Sequence, residues 1–484
     1  MYFCSLKLKT GMKSIFRNLL WVCLLTVTSL SVSQAANSDI NNSSSRSKVT
    51  IAPDYLPSDS IFARFLRSHG HRITYGNDLY LIASGREKFD DLFNELKYAK
   101  NHVHLEYFNF RGDSISKELF EHLAVLVKDS VKVRAMYDDF GNLSNNKPLK
   151  KKDVKALNEN GIELIPFDPM RFPYINHAFV RDHQKIAIID GLVGYTGGMN
   201  IADYYINGLP EVGPWRDMHV RIKGPAVEDL QQAFLYCWNK ETKQEIAGKQ
   251  YFPYSEAAAQ ADSADRSLPD DTLAAAFDAE SVDSLFDEAE VSNYSYSDTV
   301  YVGGGTAIVQ RRPRVDPKAM RRAYIAALDA AEHKVQIITP YFTPIPAIRK
   351  AIYRTIRRGV RVEIMIPTKS DIPFSPAAGF YFANKMRKAG AHVYSYNGGF
   401  HHSKIMIVDD RFCTIGSANL NSRSMKYDYE INSFLFDMRI TSELADIFSQ
   451  DKKSCTVYTR DAYMKRSAWK RFVGWFAHLF TFVM

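Results

Sequence analysis

Two short stretches carry the same polar residues in the same register. One is His183-Gln-Lys185-Ile-Ala-Ile-Ile-Asp190, followed after six residues by Gly197-Gly-Met-Asn200. The other is His402-Ser-Lys404-Ile-Met-Ile-Val-Asp409, followed after six by Gly416-Ser-Ala-Asn419. Each His, Lys, Asp, Gly and Asn lies 219 residues from its counterpart. Packing does not demand His, Lys and Asn at matched positions twice over, so the repeat points to chemistry. Within each stretch His and Lys stand two apart and share one face of an extended strand. The apolar residues that follow form a buried strand, the Asp opens a turn, and glycines in the next turn allow a ligand close to the backbone. A single copy would read as readily as a structural histidine beside a surface lysine.

Paired histidines, lysines and asparagines meeting across an approximate twofold suit one phosphoryl group in its transition state. Lys185, Lys404, Asn200 and Asn419 supply donors for the non-bridging oxygens, where charge shifts during displacement. One histidine attacks phosphorus to give a phosphohistidine. The other protonates the departing alkoxide and then deprotonates the incoming alcohol or water. The cations are built into the motif and the paired acids of two-metal chemistry are missing from it, so neither metal nor cofactor is expected.

The positioning elements repeat too. His102–Phe108 and Val335–Phe342 are β-rich runs ending in Tyr-Phe. Helical patterns over Lys117–Lys128 and Ala347–Arg357 precede the strands Val131–Met136 and Val360–Met365, and Gly161–Ile165 and Gly390–Tyr394 follow. Strands alternating with helices of this length predict an α/β fold: two α/β domains in a pseudo-twofold arrangement around one shared active site. The expected divisions are 1–35 (signal peptide or membrane anchor), 36–75 (leader), 76–251 (first domain), 252–299 (acidic Ala/Ser-rich linker), 300–460 (second domain) and 461–484 (basic aromatic tail).

The 484 residues, 46% hydrophobic and 24% charged, exclude a disordered chain and a many-span membrane protein. The net charge of +8 hides a split. Residues 252–298 hold twelve acids against Arg266 alone, leaving about +19 on the rest, a surplus suited to nucleic acid, an anionic membrane or a phosphate-bearing substrate. Five dispersed cysteines imply neither a zinc site nor a disulfide framework. Basic residues from Lys7 to Arg17, the apolar run Leu19–Val32 and Ser33-Gln-Ala35 read as an export signal or a retained anchor. In the tail, Trp469, Phe472, Val473, Phe476 and Phe480 recur at helical spacing behind Lys465, Arg466, Lys470 and Arg471, which reads as an interfacial helix.

The doubled His-x-Lys-x(4)-Asp motif resembles that of the phospholipase D superfamily. Within it, Tyr195–Tyr205, Trp215–Arg221 with Gly224-Pro225, Thr339–Pro344 and Gly416–Ser424 followed by Glu430 closely resemble bacterial cardiolipin synthases. The likeness covers most of Tyr75 to Asp437. It implies catalytic roles for His183, Lys185, Asp190, His402, Lys404 and Asp409, with His183 as nucleophile and His402 as general acid. Asn200, Asn419, Gly197, Ser417 and Glu430 take phosphate-binding or supporting positions, Glu430 orienting a histidine.

The implied reaction joins two phosphatidylglycerols into cardiolipin and glycerol at a membrane surface. The implied location is the cell envelope, after export, on the periplasmic face of the inner membrane in a diderm. Hydrolysis to phosphatidic acid would use the same residues, and an exported nuclease is the alternative of another class. The aromatic basic tail and the apolar stretch Asp371–Phe382, which could line an acyl entrance, argue for lipid over nucleic acid. Asp182 and Gln184 depart from the family pattern, where asparagine and a basic residue are usual, and imply weaker binding of an anionic head group.

Overall fold

The computed structural model describes residues 57–170, 179–255, 304–372 and 375–478. The N-terminal apolar segment, nearly all of the acidic linker and the last six residues of the tail lie outside the described residues.

After helix α1 (Ser58–Ser68), the first half runs β1 (Asp78–Ile82), α2 (Gly85–Leu96), β2 (His102–Tyr107), α3 (Ser114–Lys128), β3 (Lys132–Asp138), α4 (Asp139–Ser144), α5 (Lys151–Glu159) and β4 (Ile162–Phe167). It continues through β5 (Lys185–Ile189), β6 (Val193–Gly197), α6 (Tyr204–Asn207), β7 (Trp215–Arg216), β8 (His219–Lys223) and α7 (Val227–Thr242). The second half runs β9 (Gly305–Arg311), α8 (Ala319–Ala330), β10 (Lys334–Ile338), α9 (Pro346–Arg357), β11 (Arg361–Pro367), α10 (Ser375–Ala389), β12 (His392–Tyr396) and β13 (Phe400–His401). It ends with β14 (Ile405–Val408), β15 (Phe412–Gly416), α11 (Ser422–Lys426), β16 (Glu430–Phe436), α12 (Met438–Lys452), β17 (Cys455–Val457), α13 (Arg460–Lys465) and α14 (Ala468–His478).

The expected α/β fold is present, and one strand order occurs twice. The first sheet reads β1-β8-β6-β5-β2-β3-β4 and the second β9-β16-β15-β14-β10-β11-β12, with β17 added at the edge. In each, three strands joined by helical crossovers are parallel, and the strands from the motif onward are antiparallel. Each motif strand is central in its sheet, with a paired strand on either side, and its apolar residues are buried on both faces.

Strand alternation divides those residues between two cores. Ile186 and Ile188 of β5 meet Ile405 and Ile407 of β14 in a core shared by the two sheets, with α7 and α12 packed into it. Ala187 and Ile189 face the first half's own helices, and Met406 and Val408 the second half's.

Helix α1 belongs with the second half, although the chain enters the first half directly after it. Phe62 stacks on Phe412 (4.8 Å) and meets Phe434 (5.1 Å), and Leu66 is fully buried in the same core. Residues Thr74 and Thr306 bridge β-fashion between the two segments. Burial of Phe62 and Leu66 stabilises this docking by roughly 1.5–3 kcal/mol each. The stretch after Asp371 forms α10, whose Phe380 and Phe382 lie in the second core, so most of it is a core helix rather than a channel wall.

Candidate active site

The two motif strands run into a seam between the sheets, and each is tied there to the opposite half. Asp182 bridges Tyr429 in parallel register. The His183 amide donates to the Tyr429 carbonyl (3.0 Å), and the Tyr429 amide to the Arg181 carbonyl (2.8 Å). The same weave recurs where β13 pairs in parallel with β7, the His402 amide donating to the Arg216 carbonyl (2.7 Å). Each crossing sets an acid from one half against the histidine of the other. Glu430 lies 3.1 Å from His183 Nδ1, and Asp217 lies 2.6 Å from His402 Nδ1.

The lysines sit beside the histidines of their own strands. Lys185 Nζ donates to the His183 carbonyl, and Lys404 Nζ lies 2.8 Å from His402 Nδ1 and 3.8 Å from Asp217. Serine hydroxyls steady Glu430: Ser424 donates to it at 2.5 Å, and Ser417 donates to its other oxygen. At the position matching Ser417 stands Gly198, where an added Cβ would lie 2.2 Å from the Asp217 carboxylate. A hydroxyl and a vacancy thus serve equivalent acids. Gly197 carries φ 154° and an added Cβ there would meet His219 Nδ1 at 2.4 Å, so the turn excludes any larger residue. Asn200 and Asn419 are buried in the two matching turns, and the side-chain oxygen of each has no hydrogen-bond partner among the described residues. The group that could donate to a phosphoryl oxygen is the NH2 of each amide, and that of Asn200 lies 3.5 Å from the Tyr205 hydroxyl.

Burial pushes His183 down to about 4, with Glu430 opposing, and burial with Lys404 lowers His402. Both rings are therefore neutral at pH 7. With Nδ1–H donating to a carboxylate, Nε2 keeps its lone pair. Burial tends to raise Glu430 and Asp217, but His183 and Lys185 around the first, and Lys404 and His402 around the second, outweigh it and hold both acids ionised. Burial lowers Lys185 to about 7 and Lys404 to about 8, with Glu430 and Asp217 respectively opposing.

The free site is therefore most cationic below pH 7 and loses charge as pH rises through 7 to 8. The dissociation constant for sulfate, whose own charge is constant there, is expected to rise by up to about tenfold per pH unit for each lysine deprotonated. Titration calorimetry from pH 6 to 9.5 checks this, and a flat profile would refute it.

Asp190 and Asp409 are not brought to the histidines. They end their strands roughly 16 Å from the lysines at about 3.3 Å per residue. There each takes left-handed backbone (φ 54° and 51°) and accepts three amides: those of Lys100, Asn101 and His102, and those of Glu332, His333 and Lys334. Their geometry anchors the sheet. Asp182 and Gln184 point to the face opposite His183 and Lys185. Both are fully buried, and Gln184 bonds Glu106 (2.6 Å) and Gln310 (2.8 Å). Neither side chain reaches the histidine side, so the expected weakening of head-group binding has no direct contact to act through.

Sequence reasoning missed Asp217 and Lys88. Asp217 is 213 residues from Glu430 rather than 219, because the first half carries six extra residues before it. Lys88 occupies an inward position of α2. Its Nζ lies 4.6 Å from the Tyr107 ring centre and donates to the carbonyls of Met199 and Asn200, both at 3.1 Å. It thereby fixes the turn that presents Asn200. Lys88→Met is expected to lower turnover about tenfold, the worth of roughly one net hydrogen bond to a charged group. Far-ultraviolet dichroism should remain native, and unchanged turnover would make Lys88 a packing residue.

Two α/β halves that share one seam, each contributing His-x-Lys to it, define a phospholipase D-like protein. Residues 324–452 match the family model described as cardiolipin synthase, PLD-like domain. The chain is 31% identical over 405 residues to cardiolipin synthase 2 of Staphylococcus epidermidis, covering 83% of this chain and 73% of that one. It is 31% identical over 414 residues to the major cardiolipin synthase of Bacillus subtilis, covering 85% and 76%. The chain belongs to the bacterial cardiolipin synthase family. Among solved structures, the phosphatidylserine synthase of Haemophilus influenzae shares the fold, with a TM-score of 0.61 at 13% identity over 88% of this chain and 100% of that one.

Proposed function

We propose that the protein transfers a phosphatidyl group from one phosphatidylglycerol to the glycerol hydroxyl of a second, giving cardiolipin and free glycerol. The observation that carries this reading is the pair of histidines, each held by a carboxylate from the opposite half, with Lys185 and Lys404 beside them. His183 Nε2 attacks phosphorus, the bond to the glycerol head group breaks, and a proton from His402 Nε2 goes to the departing alkoxide. His402 is suited to the acid role because its 2.6 Å contact with Asp217 favours the doubly protonated ring once an anionic phosphodiester offsets Lys404. A second phosphatidylglycerol hydroxyl then gives its proton to His402 and attacks phosphorus, and the P–N bond breaks. Lys185, Lys404, Asn200 and Asn419 hold the non-bridging oxygens throughout.

This reading places the enzyme at a membrane surface in the cell envelope. No helix among the described residues is long and apolar enough to cross a bilayer, and the apolar run Leu19–Val32 and the tail support export and surface attachment. The test is incubation of purified protein with phosphatidylglycerol vesicles and separation of the lipids. Cardiolipin with glycerol is expected, unchanged by a chelator because side-chain cations serve the phosphoryl group. Phosphatidic acid would make water the acceptor, and DNA cleavage without lipid turnover would replace the reading with a nuclease.

A further inference from the structure

We infer that helix α14, clamped along α10, is the seat by which the protein rests on an anionic bilayer, an inference that rests on the lipid reading above. One edge of α14 is fixed to the body. Gly474 is buried, and a Cβ there would lie 2.6 Å from the Ala377 carbonyl, so the two helix backbones touch. His478 stacks on Tyr381 of α10 at 4.5 Å.

The opposite edge is apolar and faces water. Trp469 is 69% exposed, Phe472 49% and Trp475 46%. At about 100° per residue these three occupy an arc of roughly 120°, about the width of a helix face that normally packs on a core. They stack on one another, Trp469 on Phe472 at 5.7 Å and Phe472 against Trp475 at 5.8 Å, and the chain's described core does not cover them.

Charge selects the occupant. Lys465, Arg466, Lys470 and Arg471 cluster just before and within the first turn of this helix, with Arg466 over the Phe380 ring at 4.3 Å and Arg471 over the Tyr463 ring at 5.9 Å, and no acidic residue follows Asp461. An exposed aromatic edge with a basic cluster at one end of its helix fits the boundary between acyl chains and anionic head groups. The described helix is about 16 Å long at 1.5 Å per residue, so it lies along the surface rather than across it.

The seat adjoins the site. Helix α10 begins four residues after Asp371, whose carboxylate accepts from the Tyr341 hydroxyl at 2.6 Å, and the Tyr341 ring stands edge-on to His402 at 6.0 Å. A bilayer under α14 is thereby linked through α10 to the His402 side of the catalytic seam.

The test uses the full chain and a Trp469→Ser, Phe472→Ser, Trp475→Ser variant with vesicles of phosphatidylcholine alone or mixed with phosphatidylglycerol. The native protein is expected to co-sediment preferentially with the mixed vesicles and to be released by salt. The variant should bind at least about tenfold more weakly and lose vesicle turnover in step, while turnover of monomeric short-chain phosphatidylglycerol persists. Unchanged co-sedimentation, or equal loss on the monomeric lipid, would make α14 a structural brace. Should the variant not fold, the native protein decides: its tryptophan emission must shift blue and be quenched by brominated phosphatidylglycerol, and an unchanged spectrum overturns the inference. If the native protein turns over no lipid, the functional reading falls, whereas co-sedimentation still judges the seat.

Discussion

His183→Ala is expected to lower phosphatidylglycerol turnover by at least about 10,000-fold and His402→Ala by about 100- to 10,000-fold, and the two should part on a phosphodiester with a nitrophenol leaving group. Loss of the nucleophile removes the covalent route altogether. Loss of the general acid costs about 100- to 10,000-fold with a poor leaving group such as glycerol, and little with one that departs unprotonated. His402→Ala should therefore still attack the activated ester and then stall, because the incoming alcohol also needs His402 as base. Intact-mass measurement should show a phosphoryl adduct in that variant and none in His183→Ala. The neutral ring of His183, pushed to about 4 by burial, supports its assignment as nucleophile. An adduct in His183→Ala would reverse the two roles, and substantial lipid turnover in either variant would end the two-histidine mechanism.

Asp217→Asn should be nearly as damaging as loss of a histidine, with a fall of about 1,000- to 10,000-fold in kcat. The carboxylate accepts from His402 Nδ1 at 2.6 Å and faces Lys404 at 3.8 Å, and both of its side-chain neighbours are buried with it. An amide offers its NH2 to Nδ1 as easily as its oxygen, so the ring adopts the other tautomer, and an imidazolium is no longer stabilised. Lys404 would also lose its counter-charge in a dry site, a change costing roughly 3–5 kcal/mol when the surviving ion stays charged. Both kcat and melting temperature should fall. Glu430→Gln is expected to be milder in stability, because Ser417 and Ser424 still bond the replacement. Near-native kcat in Asp217→Asn would remove the acid from the mechanism.

The 219-residue offset was legible because strand, turn and strand have equal lengths in both halves, so His, Lys, Asp and Asn kept register. The acid that completes the second half-site was not, because a longer excursion through α6 and β7 shifts Asp217 out of that register. Strand periodicity already contained the correction for Asp182 and Gln184. If His183 and Lys185 share a face, the intervening residues point away from it, into the core between the sheets. Asp190 and Asp409 recur for a backbone reason, a left-handed turn that ties three amides. Lys88 carried one faint signal, a lysine on the inward face of a helix whose neighbours Phe89 and Leu92 are core. The second-half docking of α1 left none, since Ile61, Phe62, Phe65 and Leu66 mark an apolar stripe without saying which half it covers.

That docking sets a schedule for folding. Phe62 finds its partners Phe412 and Phe434 only after some 350 further residues have been made, which takes roughly 20–70 seconds at usual rates of synthesis. Through that interval the first sheet can close while the helix preceding it waits with its greasy stripe uncovered. The earliest described helix is thus among the last elements to reach its place, and the nascent chain presents a sticky, unpaired segment to whatever holds it meanwhile.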